Sequence, residues 1–160
     1  MNNRGIKASY IAGLFDGEGY VAIKRTKPRP KDRHKGYNDT YQVYAGINMC
    51  DPQVIKMLAD RFDGGVYSLA RKNPKHRTLY SWMITSTRAL KFLKTIRRYL
   101  IIKAKEVDVA FEFQEHLINS QKNIKRDAKG RRTKIDDVSI AYRESMRQKL
   151  SSLKHIQHLA

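Results

Sequence analysis

Residues Tyr10 to Gly19 read YIAGLFDGEG. An apolar stretch with Gly13 at its centre leads into two acids, Asp16 and Glu18, followed by Gly17 and Gly19 respectively. Glycine inside a helix costs about 1 kcal/mol relative to alanine. That penalty is tolerated where two backbones must approach closely, as in tightly crossed small-residue helices. The far glycines let a chain leave a helix and turn. An acid held at such a turn, in a chain of net charge +18, is well placed to hold a divalent cation against phosphate.

Composition bounds the rest. A chain of 160 residues is one domain of ordinary size, able to bury a core. Lysine plus arginine number 33 against 15 acids, and the sequence pI is near 10.2. This balance favours a polyanionic partner. A membrane surface is the competing polyanion, but no apolar run approaches the roughly 18 residues needed to span, and no signal peptide is seen at the N-terminus. The lone Cys50 rules out an intrachain disulfide and fits a reducing, intracellular compartment. Without a Cys or His cluster at zinc spacing, a zinc finger is not expected. None of His34, His76, His116, His155 and His158 is assigned to catalysis. An apolar content of 41% argues against a disordered basic tail. Charge alone leaves open a ribosomal or other RNA-binding protein.

Ser9 is placed to cap a first helix running to about Asp16. After Gly19 the period becomes two, with Val21 and Ile23 on one side of a strand. Residues 25–38 are charged and carry Pro28, Pro30 and Gly36, as in a long exposed hairpin loop. Alternation resumes at Thr40: Tyr41, Val43, Ala45 and Ile47 on one face, Gln42, Tyr44, Gly46 and Asn48 on the other. Asp51-Pro52 starts a helix whose stripe is Val54, Ile55, Leu58, Ala59 and Phe62, stopped by Gly64-Gly65. A second hairpin follows, with strands near 66–71 and 79–85 around a basic loop. Tyr80, Trp82 and Ile84 alternate as a core face would, though aromatics could equally meet a ligand. Ser86 or Thr87 caps a helix with Leu90, Leu93 and Ile96. Another starts at Lys103, and a last one near Ile135 repeats apolar residues at Val138, Tyr142, Met146, Leu150 and Leu153. Residues 1–120 read as the core, and 121–160 as a basic linker and terminal helix of the same domain.

Residues Ile11 to Gly19 resemble, position by position, the signature of the LAGLIDADG homing endonucleases, with Glu18 at the position of the metal-binding acid. The element order α-β-β-α-β-β-α with C-terminal helices also resembles that family. So does the block RYLIIKAKE, Arg98 to Glu106, in which Lys103 stands at the position of the basic residue beside the scissile phosphate. The resemblance implies an α+β fold whose antiparallel sheet forms a DNA saddle with helices behind it. It implies that the first helix packs on its counterpart through Ile11, Ala12, Gly13 and Phe15. One motif is half an active site, so a symmetric homodimer supplies the other half. Glu18 and the Gly17 carbonyl would hold Mg²⁺ (or Mn²⁺), hard cations that prefer oxygen ligands, and Lys103 would stabilise charge at the phosphate. Asp16 is read as a helix-end acid bonded to nearby backbone. The stretch INMCD, Ile47 to Asp51, occupies the family's strand-to-helix junction, where Asn48 or Met49 aligns with a water-positioning residue.

On the strand face opposite the apolar alternation, Lys24, Thr26, Thr40, Gln42, Tyr44 and Asn48 suit base edges in a major groove. Basic loop residues Lys27, Arg29, Arg33, Lys35, Arg71, Lys72, Lys75 and Arg77 suit phosphates. The expected function is a metal-dependent endonuclease that hydrolyses both strands of a long pseudo-palindromic DNA site and leaves short 3′ overhangs. An intron maturase with an RNA partner and a non-cleaving DNA-binding protein are the alternatives. The expected settings are a prokaryotic or phage-infected cytoplasm, a nucleoid, a chloroplast or a mitochondrion.

Overall fold

Two β-hairpins, each preceded by a helix, generate the sheet. The computed structural model describes residues 6–31, 39–69, 77–122, 128 and 135–156. Helix α1 (Ala8–Glu18) runs without a loop into β1 (Gly19–Thr26), which pairs with β2 (Thr40–Met49). Helix α2 (Pro52–Phe62) leads to β3 (Gly65–Leu69) and β4 (Leu79–Thr85). Helix α3 (Ser86–Ile96), a 3-10 turn (Arg97–Tyr99), α4 (Ala104–Lys122) and α5 (Asp137–Ile156) complete the chain. The four strands form one antiparallel sheet in the order β1-β2-β4-β3. No described helix is long and apolar enough to cross a membrane.

The period-two pattern sorts the sheet into a covered and an open face, because alternate side chains point oppositely. Val21, Ile23, Val43, Ala45, Ile47, Trp82 and Ile84 are buried beneath the helices. This settles the second hairpin: Trp82 and Ile84 belong to the core. Phe92 of α3 lies edge-on to Trp82, Phe62 and Phe15, with ring centroids 4.9, 5.0 and 5.4 Å away. Such edge-to-face pairs add stabilisation beyond area burial. The indole N–H of Trp82 donates to the Asp63 carbonyl at 2.7 Å, fixing the turn after α2.

Local signals differ from the sequence reading at three helix starts. Lys7, not Ser9, occupies the N-cap of α1, with no side-chain cap bond. Asp51 caps α2 as expected, accepting from the N–H groups of Gln53 and Val54 at 2.8 and 3.4 Å. Neither Ser86 nor Thr87 caps α3: Thr85 holds the cap position, and Ser86 has φ 54°. Strand β3 is described over Gly65–Leu69, and its expected continuation to residue 71 lies outside the described residues. Helix α5 starts at Asp137, where Asp136 accepts the Ser139 N–H at 2.7 Å. Helix α5 packs on α4 and β1, burying Met146 and Leu150, while Val138 is 79% exposed.

Helix α1 also extends further than expected. Gly17 and Glu18 are helical, and Gly19 has φ −83° and ψ 164°, extended backbone that any residue adopts. Glycine is needed at 19 for space, since a Cβ there would sit 2.4 Å from the Phe15 ring. The motif therefore makes no acidic turn: Glu18 is the last residue of the helix.

Candidate active site and nucleic-acid interface

The site begins at the C-terminal end of α1. Unpaired carbonyls make a helix C-terminus negative, and Glu18 adds an exposed carboxylate there. The Gly17 carbonyl is among the last four of the helix and has no helical partner. Two carboxylate or carbonyl oxygens beside a helix's negative end form a cation-seeking surface.

Lys103 is brought to this end by Asp16. The Asp16 carboxylate accepts the Ile101 N–H at 2.8 Å and the Lys103 N–H at 3.0 Å. The Lys103 ammonium donates back to the Asp16 carbonyl. Asp16 is thus a backbone-bonded acid, as read, but the backbone it binds is more than 80 residues away in sequence. It staples the start of α4 to the motif and places the two predicted catalytic residues, Glu18 and Lys103, at one helix end.

Asn48 lies at the same end of the sheet. Gly19 pairs with Ile47 as the last β1–β2 partners, so Glu18 and Asn48 follow next on the two chains. Asn48 pairs with Ser81 of β4 on the open face, and its Oδ1 is buried without a hydrogen-bond partner. Met49 packs instead against the core. Of the two residues the sequence left open, Asn48 is the one facing outward, and its orphaned oxygen suits a water.

The dimer-interface expectation needs correction. Ile11, Ala12 and Phe15 are 0% exposed within the single chain, so they are core residues and are not available to a partner. The face that α1 leaves uncovered carries Tyr10, Gly13 and Gly17, which share one side at helical spacing, with Leu14 at its edge half-buried against the core. Tyr10 is 56% exposed, and nothing lies within 4 Å of a Cβ added at Gly13. Only Gly13 of the expected set belongs to this face. Ile101, tied to Asp16, is 86% exposed beside its C-terminal end.

The open sheet face carries Lys24, Thr26, Thr40, Gln42 and Tyr44, as the alternation predicts. Lys24 lies over the Tyr44 ring, 4.3 Å from its centroid, a diagonal cation–π pair. The register adds residues that the sequence did not single out: Tyr20, Tyr67, Leu69, Ser81, Met83 and Thr85. Tyr20 and Ser81 side chains meet, and burial pushes the Tyr20 hydroxyl up from its ordinary pKa. Of the loop cations, Lys27, Arg29 and Arg77 are exposed. Arg33, Lys35, Arg71, Lys72 and Lys75 lie outside the described residues, as does most of the basic segment 121–134.

Among the described residues, no three His, Cys, Asp or Glu side chains come together as a metal cluster. The oxygens at this end of α1 are the Glu18 carboxylate, which is exposed, and the last helix carbonyls.

No protein-family profile matches the chain. No curated protein matches it in sequence. Solved structures do match. The homing endonuclease I-CvuI, in complex with its target in the presence of Ca, superposes with a TM-score of 0.65 at 14% identity, over 91% of this chain and 80% of that one. The homing endonuclease I-TnaI matches at 0.64 and 16% identity, covering 96% of this chain and 97% of its own. The LAGLIDADG meganuclease I-AabMI, bound to uncleaved DNA, matches at 0.53 and 22% identity, over 72% of this chain and 38% of that longer one. Its sheet order, its helical back and the motif at residues 11–19 together give this chain the LAGLIDADG homing-endonuclease fold.

Proposed function

We propose that the chain is a homodimeric, site-specific endodeoxyribonuclease that hydrolyses both strands of a long pseudo-palindromic duplex in a divalent-metal-dependent reaction, leaving short 3′ overhangs. The observation that carries this reading is that an exposed Glu18 carboxylate and Lys103, docked on the Asp16 carbonyl, stand at the same C-terminal end of α1, beside an open polar sheet face. Structural neighbours include the archaeal intron-encoded homing endonuclease I-Vdi141I, complexed with DNA, which supports DNA as the ligand.

Two copies joined through Gly13 and the uncovered side of α1 bring two Glu18 residues to one axis, since a two-fold interface places each residue against its own symmetry mate's surroundings. Glu18 and the Gly17 carbonyl would hold Mg²⁺ or Mn²⁺, which supplies Lewis-acid stabilisation to the attacking and leaving oxygens. Lys103 sets a fixed positive charge where a phosphate oxyanion gains charge. Asn48 presents its unpaired oxygen to orient a water. Lys24, Gln42 and Tyr44 read base edges, while Lys27, Arg29 and Arg77 grip phosphates. An intracellular setting goes with genomic DNA as substrate.

The test is cleavage of a randomised duplex library by the purified chain with Mg²⁺ or Mn²⁺, with Glu18→Gln in parallel. Wild type should enrich one near-palindromic site and cut it, and the variant should bind that site uncut. Selective binding without cleavage by wild type would favour a non-cleaving DNA-binding protein. Preference for RNA over every duplex would favour the maturase.

A further inference from the structure

Behind Lys103 lies a carboxylate that neither the motif nor the open face uses. Glu106 is only 1% exposed, and its Oε2 has no hydrogen-bond partner. It occupies the third position of α4. The Lys103 carbonyl accepts the Val107 N–H at 3.0 Å, making Lys103 the N-cap residue. A glutamate at that position ordinarily reaches back to the N-cap N–H. Here that N–H is already taken by Asp16, so helix capping does not explain Glu106.

Its surroundings are charges from three elements. Burial pushes the Glu106 carboxyl up from its ordinary pKa; Lys154 of α5 and Lys103 at the N-cap of α4 draw it back, while Asp16 of α1 adds to the rise. Lys154 also donates to the Val21 carbonyl on β1, which fixes the side chain under the sheet. The set contains two cations and two anions. Lys154 and Lys103 repel each other, and Glu106 attracts both. Buried charges persist only when balanced, and removing one partner leaves the others uncompensated.

We infer that Glu106 is a positioning residue for Lys103, balancing the charge of Lys154 so that the Lys103 ammonium stays docked on the Asp16 carbonyl. The C-terminal helix, far from the motif in sequence, thereby contributes to the site. This inference rests on the reading of Lys103 as a phosphate-stabilising cation.

The experiment is a charge-balance cycle with Glu106→Gln, Lys154→Met and the double variant. Two readouts serve: single-turnover cleavage against DNA affinity, and hydrogen exchange of the Ile101 and Lys103 amides. Glu106→Gln leaves two lysines against Asp16. It should slow cleavage roughly tenfold to a hundredfold, as for a slightly misplaced catalytic group, with affinity little changed, and should speed exchange of both amides. The double variant restores one cation to one anion. It should return cleavage to within about threefold of wild type, with amide protection recovered, as coupled partners do. A double variant as slow as Glu106→Gln, or slower, would overturn the inference. If Glu106→Gln does not fold, the double variant decides alone: a folded, protected chain supports the inference and an unfolded one contradicts it. Failure of wild type to cut would sink the nuclease reading instead, and the amide exchange would still decide whether Glu106 positions Lys103.

Discussion

Asp16 joins two segments that the sequence separates widely. Its carboxylate holds the Ile101 and Lys103 amides while its carbonyl receives the Lys103 ammonium. Hydrogen bonds to a charged group contribute about 1.5–3 kcal/mol each at most. Asp16→Ala should therefore lower unfolding free energy by about 2–4 kcal/mol. A loss under about 0.5 kcal/mol in denaturant titration would show that the staple carries little. Gly19 makes a separate demand on space. Gly19→Ala pushes a methyl into the Phe15 ring and should destabilise by about 1–3 kcal/mol, read from the thermal midpoint. The sequence showed that Asp16 bonds backbone, but not which backbone, and it misassigned the reason for Gly19. The string placed Asp16 at a helix end, yet only the folded chain shows that its bonds go to residues 101 and 103. The glycine at 19 read as freedom to turn, whereas the ring beneath it is what requires glycine.

At the scale of elements, amphipathic spacing located β1, β2, β4 and α2 through α5 to within a few residues, because each buries one stripe. Helix α1 resisted the same reading. Tyr10, Ile11, Ala12, Leu14 and Phe15 are apolar or small around most of the helix, so no stripe marks which side meets the core. Its inward face is Ile11, Ala12 and Phe15, and its outward face centres on Gly13. The open face of β4 was equally hidden, because Ser81, Met83 and Thr85 carry no charge to mark them. Helix α5 is held by Glu144, which binds Arg147 at 2.6 Å and accepts the Tyr41 hydroxyl at 3.0 Å. Arg147 foremost, aided by Tyr41, holds the Glu144 carboxyl down at about 2, below its ordinary 4.5. A depressed acid contributes stability that is present above its unfolded value and is lost as pH falls through its folded value. Stability should thus fall between pH 4.5 and about 2. Glu144→Gln should flatten that part of the curve, and an unaltered slope in acid titration followed by circular dichroism would reject this source.

For the whole molecule, net charge +18 and an open polar sheet face define how DNA would be held under the proposed function. Substituting Lys27, Arg29 or Arg77 should weaken binding on all sequences alike, lowering the salt slope by about one for each phosphate contact removed. Substituting Lys24 or Gln42 should instead change base preference, at about 1–3 kcal/mol per good contact. Uniform weakening by the strand variants across single-base targets would remove base reading from this face. Assembly should respond to Gly13 in two directions. Gly13→Ala fills open space on the single chain and should stabilise it by about 0.5–1 kcal/mol. It should also weaken self-association, because the two helices then stand further apart.

The central claim is that one active centre is built from two copies of this chain, each giving one Glu18. The most direct measurement is double-strand cleavage by co-expressed mixtures of wild type and Glu18→Gln in graded ratios, with DNA binding held at saturation. Shared centres predict that activity falls with the square of the wild-type fraction, because a mixed pair lacks half its acids. Activity falling in simple proportion to the wild-type fraction, or a single chain cutting both strands, would contradict it.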